Sequence, residues 1–193
     1  MKYQNKIINH YNDLIKINGF TKSGIGWKSN KLFERYNIFR RYINFDRKSI
    51  LDYGAGLAHF YEYLKKNKIK YKKFYYYDLN KNLLNFVKIK YKSNIDYLKK
   101  ISKQKYDIII INGVYNYNFK KNNIVIRQDI KKLFNLTNHS LGISILNNDV
   151  DYKERHLFYH NEDNFLKFTK KICKKIIIDK TFSKYETFII LKK

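Results

Sequence analysis

From residue 48 onward the chain repeats one pattern: an apolar run of strand length, then a stretch with helical periodicity. "KSILDYG" leads into a helical stretch from Ala58 to Asn67. "KKFYYYDL" leads into one that Asn80 caps and that buries Leu83, Leu84 and Val87. "YDIIIING" precedes a helix around 124–138, and "LGISILNN" precedes one over 163–171. A short strand is expected near 94–97. Parallel neighbours need a crossover connection, so this alternation predicts a mostly parallel sheet covered by helices. "KKIIID" and "YETFIILKK", separated by "KTFSK", then form a hairpin that adds an antiparallel strand. The expected fold class is α/β.

Ahead of this pattern, residues 5–18 place Ile7, Ile8, Tyr11, Leu14 and Ile15 on one helical face. The loop "NGFTKSGIGWKSN" follows, and Ser29 is the expected N-cap of a second helix that turns Leu32, Phe33, Tyr36, Phe39 and Ile43 inward. The division expected is a helical cap over 1–46 and an α/β domain over 47–193, forming one compact unit. A chain of 193 residues suffices for one full core and is short for two.

Several classes drop out on composition. No run of about 18 apolar residues exists to span a membrane, and the N-terminus lacks a secretory signal core. Cys173 is the single cysteine, which excludes a disulfide framework and a multi-cysteine metal site, so no metal is expected. A soluble cytoplasmic protein is the expectation. The net charge is +25, with 35 Lys against 6 Arg. Lys, Asn, Ile, Tyr and Phe supply 118 of 193 residues, all with AT-rich codons. Codon drift accounts for much of that charge, while a polyanionic partner is the functional alternative.

Ligands of such sheets sit beyond the carboxyl ends of the strands. "ILDYGAGLAHF" puts a glycine turn at such an end. The dinucleotide fingerprint would need glycine where His59 stands, and a phosphate loop would need Gly-Lys-Ser/Thr. Asp52, two residues before Gly54, faces an anion badly. A cationic ligand fits better, and S-adenosylmethionine, with a sulfonium and an ammonium against one carboxylate, is one.

"ILDYGAGLA" resembles the first motif of class I S-adenosylmethionine-dependent methyltransferases, an acid followed by spaced glycines. The resemblance implies a Rossmann-like fold, S-adenosylmethionine as cofactor and methyl transfer as activity. It implies that Asp52 orients the methionine ammonium and that Gly54, Ala55 and Gly56 admit the cofactor; Ala58 replaces the third glycine. Asp78, which ends "YYYDLN" ahead of Leu79, would take both ribose hydroxyls. Asp96 would accept from the adenine amine, and Asn112 would border cofactor and acceptor. His59 is expected to line the cofactor site, and Trp27 to cover the cofactor. "GIGWKSNKLFERY", with Gly26, Trp27, Ser29, Arg35 and Tyr36, is similar to a bacterial subgroup of small methyltransferases.

Acceptor-side candidates follow the fourth and fifth strands. Tyr115 and Asn116 come after the fourth, and Asn147, Asn148, Asp149, Tyr152, His156, Tyr159 and His160 after the fifth. Histidine titrates near neutrality, so His156 or His160 is a candidate base, with Tyr115 as a further catalytic candidate. Asn116, Asn147 and Tyr152 are candidates for holding the acceptor. The leading expectation is a small-molecule or sugar-like, anionic acceptor. "NGVY", at Asn112–Tyr115, has the spacing of the N-P-P-Y motif of adenine amino-methyltransferases without its prolines. A nucleic-acid methyltransferase is therefore the alternative, and a non-catalytic cofactor-binding subunit the second.

Overall fold

The computed structural model describes residues 2–27 and 31–193. Seven strands form one sheet: β1 (Ser49–Tyr53), β2 (Lys73–Tyr77), β3 (Asp96–Leu98), β4 (Tyr106–Asn112), β5 (Thr137–Leu146), β6 (Lys175–Ser183) and β7 (Glu186–Lys192). Their spatial order is β3-β2-β1-β4-β5-β7-β6. The first five run parallel, and β7 enters antiparallel between β5 and β6. The strand order reverses between β1 and β4, which opens a crevice above their carboxyl ends.

Strand side chains alternate between faces with a period of two, so each strand feeds two cores. On one face Ile50, Phe74, Tyr76, Ile108 and Phe188 meet α2 (Leu32–Tyr42), α3 (His59–Lys66) and α4 (Lys81–Tyr91). On the other, Leu51, Tyr75, Ile109, Ile111 and Ile189 meet α5 (Asn122–Asn135) and α6 (Glu162–Lys170). In α2 the residues Leu32, Tyr36, Ile38, Phe39 and Ile43 are buried in the first of these cores, and Phe33 is half-buried. The cap expected of that helix at Ser29 lies outside the described residues. Asn80 caps α4 by accepting from the Asn82 N–H, as its position predicts.

The first helix, α1 (Lys2–Asn18), differs from the rest in having no buried residue among those whose side chains are described. It lies across the carboxyl end of the sheet. The Asn12 carbonyl accepts from Asn80 Nδ2 at 2.9 Å and from Asn82 Nδ2 at 3.0 Å. On the opposite flank Tyr3 stacks on Phe119 at 4.9 Å, and His10 packs against Tyr117 at 4.6 Å.

Two details depart from expectation. The closing hairpin turns at residues 184–185, and "KTFS" stays in β6. An irregularity between Asp179 and Ser183 absorbs those residues, with the Asp179 carboxylate accepting from both the N–H and hydroxyl of Thr181 at 2.7 Å. The crossover from β3 to β4, residues 99–105, carries no helix. Ile101 of this crossover packs against the core on the α5 face. Among the described residues no helix is long and apolar enough to cross a membrane.

Candidate functional site

The glycine turn is bolted to the end of the neighbouring strand. The Gly54 and Ala55 N–H groups donate to the Tyr77 carbonyl at 2.7 and 3.0 Å. The Gly56 N–H donates to Asp78 Oδ2 at 2.9 Å, and the Asn80 N–H donates to Oδ1 at 2.8 Å. Gly54 has φ +72, and a Cβ there would sit 2.6 Å from Val114 Cγ2. Only glycine permits both the left-handed backbone and that approach. Ala58, the departure from the glycine pattern, takes φ +61 at the head of α3.

These groups form the floor of a cavity of about 320 Å³, in the size range of small-molecule sites. Gly54, Gly56, Asp78, Leu79, Asn112, Trp27 and Tyr115, all singled out in the sequence, line it. The roof is α1, through Tyr3, Gln4, Ile7, Ile8 and Tyr11. Asp52 is buried directly beneath, with its carboxyl pushed up to about 8 by burial and by the neighbouring Asp78. Asp78 is raised as well, again by burial first, while its two backbone hydrogen bonds oppose the shift. Among the described residues no cationic side chain pairs with either carboxylate. Two buried acids left in this way suit a ligand that carries positive charge.

At the end of β4 the Asn112 carbonyl accepts from Ser144 Oγ at 2.9 Å, and that oxygen accepts from the Gly113 N–H at 2.9 Å. Trp27 lies against Gly113, where an added Cβ would meet the indole at 2.7 Å. The Arg35 guanidinium sits 4.2 Å above the Trp27 ring and 4.9 Å from the Phe182 ring, and it pairs with Glu186. Trp27 thus closes the cavity on the α2 side through a cation–π contact.

The remaining expected residues lie elsewhere. Ala55 is outside the cavity lining and packs toward the α3 core. His59 is also outside it. Asp96 is half-exposed, two residues short of the carboxyl end of β3, with its carboxylate 3.4 Å from Lys73 Nζ. It does not reach the cavity. Asn116 stays outside the lining, its side-chain oxygen buried and without a hydrogen-bond partner among the described residues. Asn147 is consumed in the β5–β7 junction, where its carbonyl accepts from Thr187 Oγ1 at 2.8 Å. Tyr152 is exposed and remote from the cavity lining.

The histidines separate sharply. His160 is buried between the rings of Phe158 and Phe165, at 4.8 and 5.2 Å, and burial pulls its imidazole down to about 4. It is a neutral core group without access to the cavity, which removes it as the expected base. His156 is half-exposed, with Nε2 3.7 Å from a Glu154 oxygen and its ring 5.4 Å from His10 of α1. It stands at the outer edge of the roof.

The sequence reading missed the cavity's second end. Tyr53 and Tyr77 pair in register and stack at 5.1 Å, and the Tyr53 hydroxyl donates to Asp129 Oδ2 at 2.7 Å. Ile101, Lys100, Val125 and Lys132 complete that end. The available signal was strand alternation: Tyr53 and Tyr77 each precede a singled-out residue by one and so face the other side of the sheet.

No protein-family model matches the sequence, and no curated protein is similar to it in sequence. The fold is nonetheless shared with solved methyltransferase structures. A SAM-dependent methyltransferase from Leishmania major is 15% identical with a TM-score of 0.72, over 99% of this chain and 83% of that one. The Pnkp1/Rnl/Hen1 RNA repair complex contains a chain 14% identical with a TM-score of 0.69, over 86% of this chain. This chain spans only 42% of the length of that one. Magnesium protoporphyrin IX methyltransferase of Synechocystis PCC 6803, with bound SAH, is 13% identical with a TM-score of 0.61, over 82% and 79% of the two chains. At these identities the likeness establishes the class I methyltransferase fold.

Proposed function

We propose that the chain is an S-adenosylmethionine-dependent methyltransferase acting on a small acceptor. The observation that carries this reading is a pair of buried carboxylates at the glycine turn without a cationic partner among the described residues, Asp78 in the cavity lining and Asp52 buried beside it. A phosphate-bearing cofactor would be repelled there, whereas a net cationic one relieves both desolvated charges. In this reading Asp78 keeps lone pairs for ribose hydroxyls, Gly54 and Gly56 allow close backbone approach, and Asp52 takes the ammonium. Bound there, S-adenosylmethionine supplies a methyl carbon on a sulfonium, whose C–S bond breaks as the acceptor's bond to that carbon forms. The protein's part is alignment and exclusion of water, served by the α1 roof and the Trp27 wall.

A small acceptor is favoured over a flipped nucleobase by the "NGVY" segment itself. Tyr115 lines the cavity as a buried wall residue instead of standing exposed, as a ring that stacks on an extruded base would. The Asn112 carbonyl is already engaged by Ser144. The arrangement that would hold and stack an extruded base is therefore not assembled. One observation supports the nucleic-acid reading: Lys100, Lys103, Lys131 and Lys132 line a surface groove adjoining the cavity. Tight binding of RNA or DNA that weakens steeply with salt would favour that alternative.

The deciding experiment is titration calorimetry with S-adenosylmethionine and S-adenosylhomocysteine, with NADH as control. Binding of the two sulfur cofactors and not of NADH is expected. Binding of NADH alone, or of none of the three, would sink the reading.

A further inference from the structure

The end of the cavity farthest from the α2 side has a defined chemistry that the proposed reaction does not yet use. Asp129 comes from the middle of α5 and is half-buried, and the Tyr53 hydroxyl holds one of its oxygens at 2.7 Å. Tyr77 lies stacked on Tyr53 with 24° between the rings, and Tyr3 is stacked on Phe119 with 19° between them. The hydroxyl of Tyr115 is buried in the same wall with no hydrogen-bond partner among the described residues. Flat aromatic surfaces around a carboxylate suit a flat, heteroaromatic ligand that presents an N–H donor.

The segment that follows β3 offers nothing comparable. Residues 99–105 contain no acid, and Asp96 turns to Lys73 on the surface. The α5 helix instead delivers Asp129 into the cavity, against the Tyr53 hydroxyl of β1.

We infer that Asp129, held by Tyr53 and set beside Tyr77 and Tyr115, reads the exocyclic amine of the cofactor's adenine. This rests on the cofactor reading above. Asp78 takes the ribose, and the base continues from there past Leu79 and Ile101 into the aromatic end. A carboxylate accepts from a 6-amino group and repels a 6-oxo group, so Asp129 discriminates adenosyl from inosyl ligands.

Titration calorimetry with S-adenosylhomocysteine and its deaminated analogue, S-inosylhomocysteine, tests this on the full chain. The wild-type chain is expected to prefer the amino compound by roughly 10- to 100-fold, the size of one hydrogen bond to a charged group. Asp129→Asn keeps the shape and an acceptor for Tyr53, and its amide can turn to suit either ligand. It is expected to shrink the preference to roughly threefold or less. Tyr53→Phe, which frees the carboxylate without removing it, is expected to narrow the preference partially and serves if Asp129→Asn misfolds. Equal wild-type affinities, or a preference that survives Asp129→Asn with unchanged melting temperature, would overturn the inference and leave the cofactor reading standing. Failure of S-adenosylhomocysteine to bind at all would overturn both.

Discussion

At the glycine-turn end of the cavity the polar groups are set by main chain, with Gly54, Ala55, Gly56 and Asn80 all donating backbone N–H groups to Tyr77 or Asp78. At the tyrosine end they are set by side chains from three separate elements: Tyr3 of α1, Tyr53 and Tyr77 of the sheet, and Asp129 of α5. The first end is a local object, made by two strand ends that pair in register. The second exists only after tertiary packing. Local construction ties each polar group to the backbone, whereas assembled construction couples side chains that touch, so that substitutions of bonded partners do not add.

The largest expected effect falls on the local end. Asp78→Ala removes both the ribose acceptor and the anchor of the Gly56 N–H, and is expected to weaken S-adenosylhomocysteine binding by at least ~100-fold in calorimetry. Survival of near-wild-type affinity would break the distinction drawn here.

Next comes Asp52, and its effect has a sign that depends on what is measured. Its folded carboxyl sits near 8, above the ordinary carboxylate value, so the folded state holds a proton that the unfolded state releases. The contribution of Asp52 to the stability of the ligand-free chain is therefore fully present below about pH 4 and is lost as pH rises through about 8. Asp52→Asn is expected to flatten that decline and to raise the melting temperature near pH 8 by several degrees, from roughly 1–3 kcal/mol of relieved burial. The same substitution is expected to weaken cofactor binding about tenfold. In the wild type, cofactor affinity should rise with pH up to about 8, because a protonated Asp52 cannot pair with an ammonium. A melting-temperature difference between Asp52→Asn and wild type that does not grow with pH over that range would refute the assignment.

A smaller effect is expected at the assembled end, where Tyr53→Phe should cost about three- to tenfold in cofactor affinity. Combined with Asp129→Asn it should cost no more than the larger of the two alone, since both act through one hydrogen bond. Additive losses would mean that Tyr53 and Asp129 serve different groups. The smallest is at Tyr152, exposed and outside the cavity, where substitution by Ala is expected to leave both affinity and melting temperature within error.

That division also explains what could be read in advance. The strand–helix alternation, the glycine turn, Asp78, Leu79 and Asn112 are contiguous patterns with fixed backbone consequences, and the fold follows from them. Asp129 sits alone in "RQDIKKL", where a helix facing solvent and a helix facing a cavity look the same. His160 illustrates the opposite error. In the sequence it stands among polar residues, "FYHNED", and reads as a loop histidine, yet its backbone pairs with Leu146 at 2.7 Å and draws the ring into the α6 core. Asp96 was expected to follow the short third strand, and its position at the start of β3 turns it outward.

The place of β7 in the sheet has a consequence for how the protein is made. In the sheet β6 touches only β7, and β7 is synthesised after it. Until β7 is in place, the long apolar run of β5 is an open edge and "KIIID" has nothing to pair with. Both are then available to other nascent chains. The lysines crowded into this stretch, Lys170, Lys171, Lys174 and Lys175, give neighbouring copies a shared positive charge at the moment of greatest exposure.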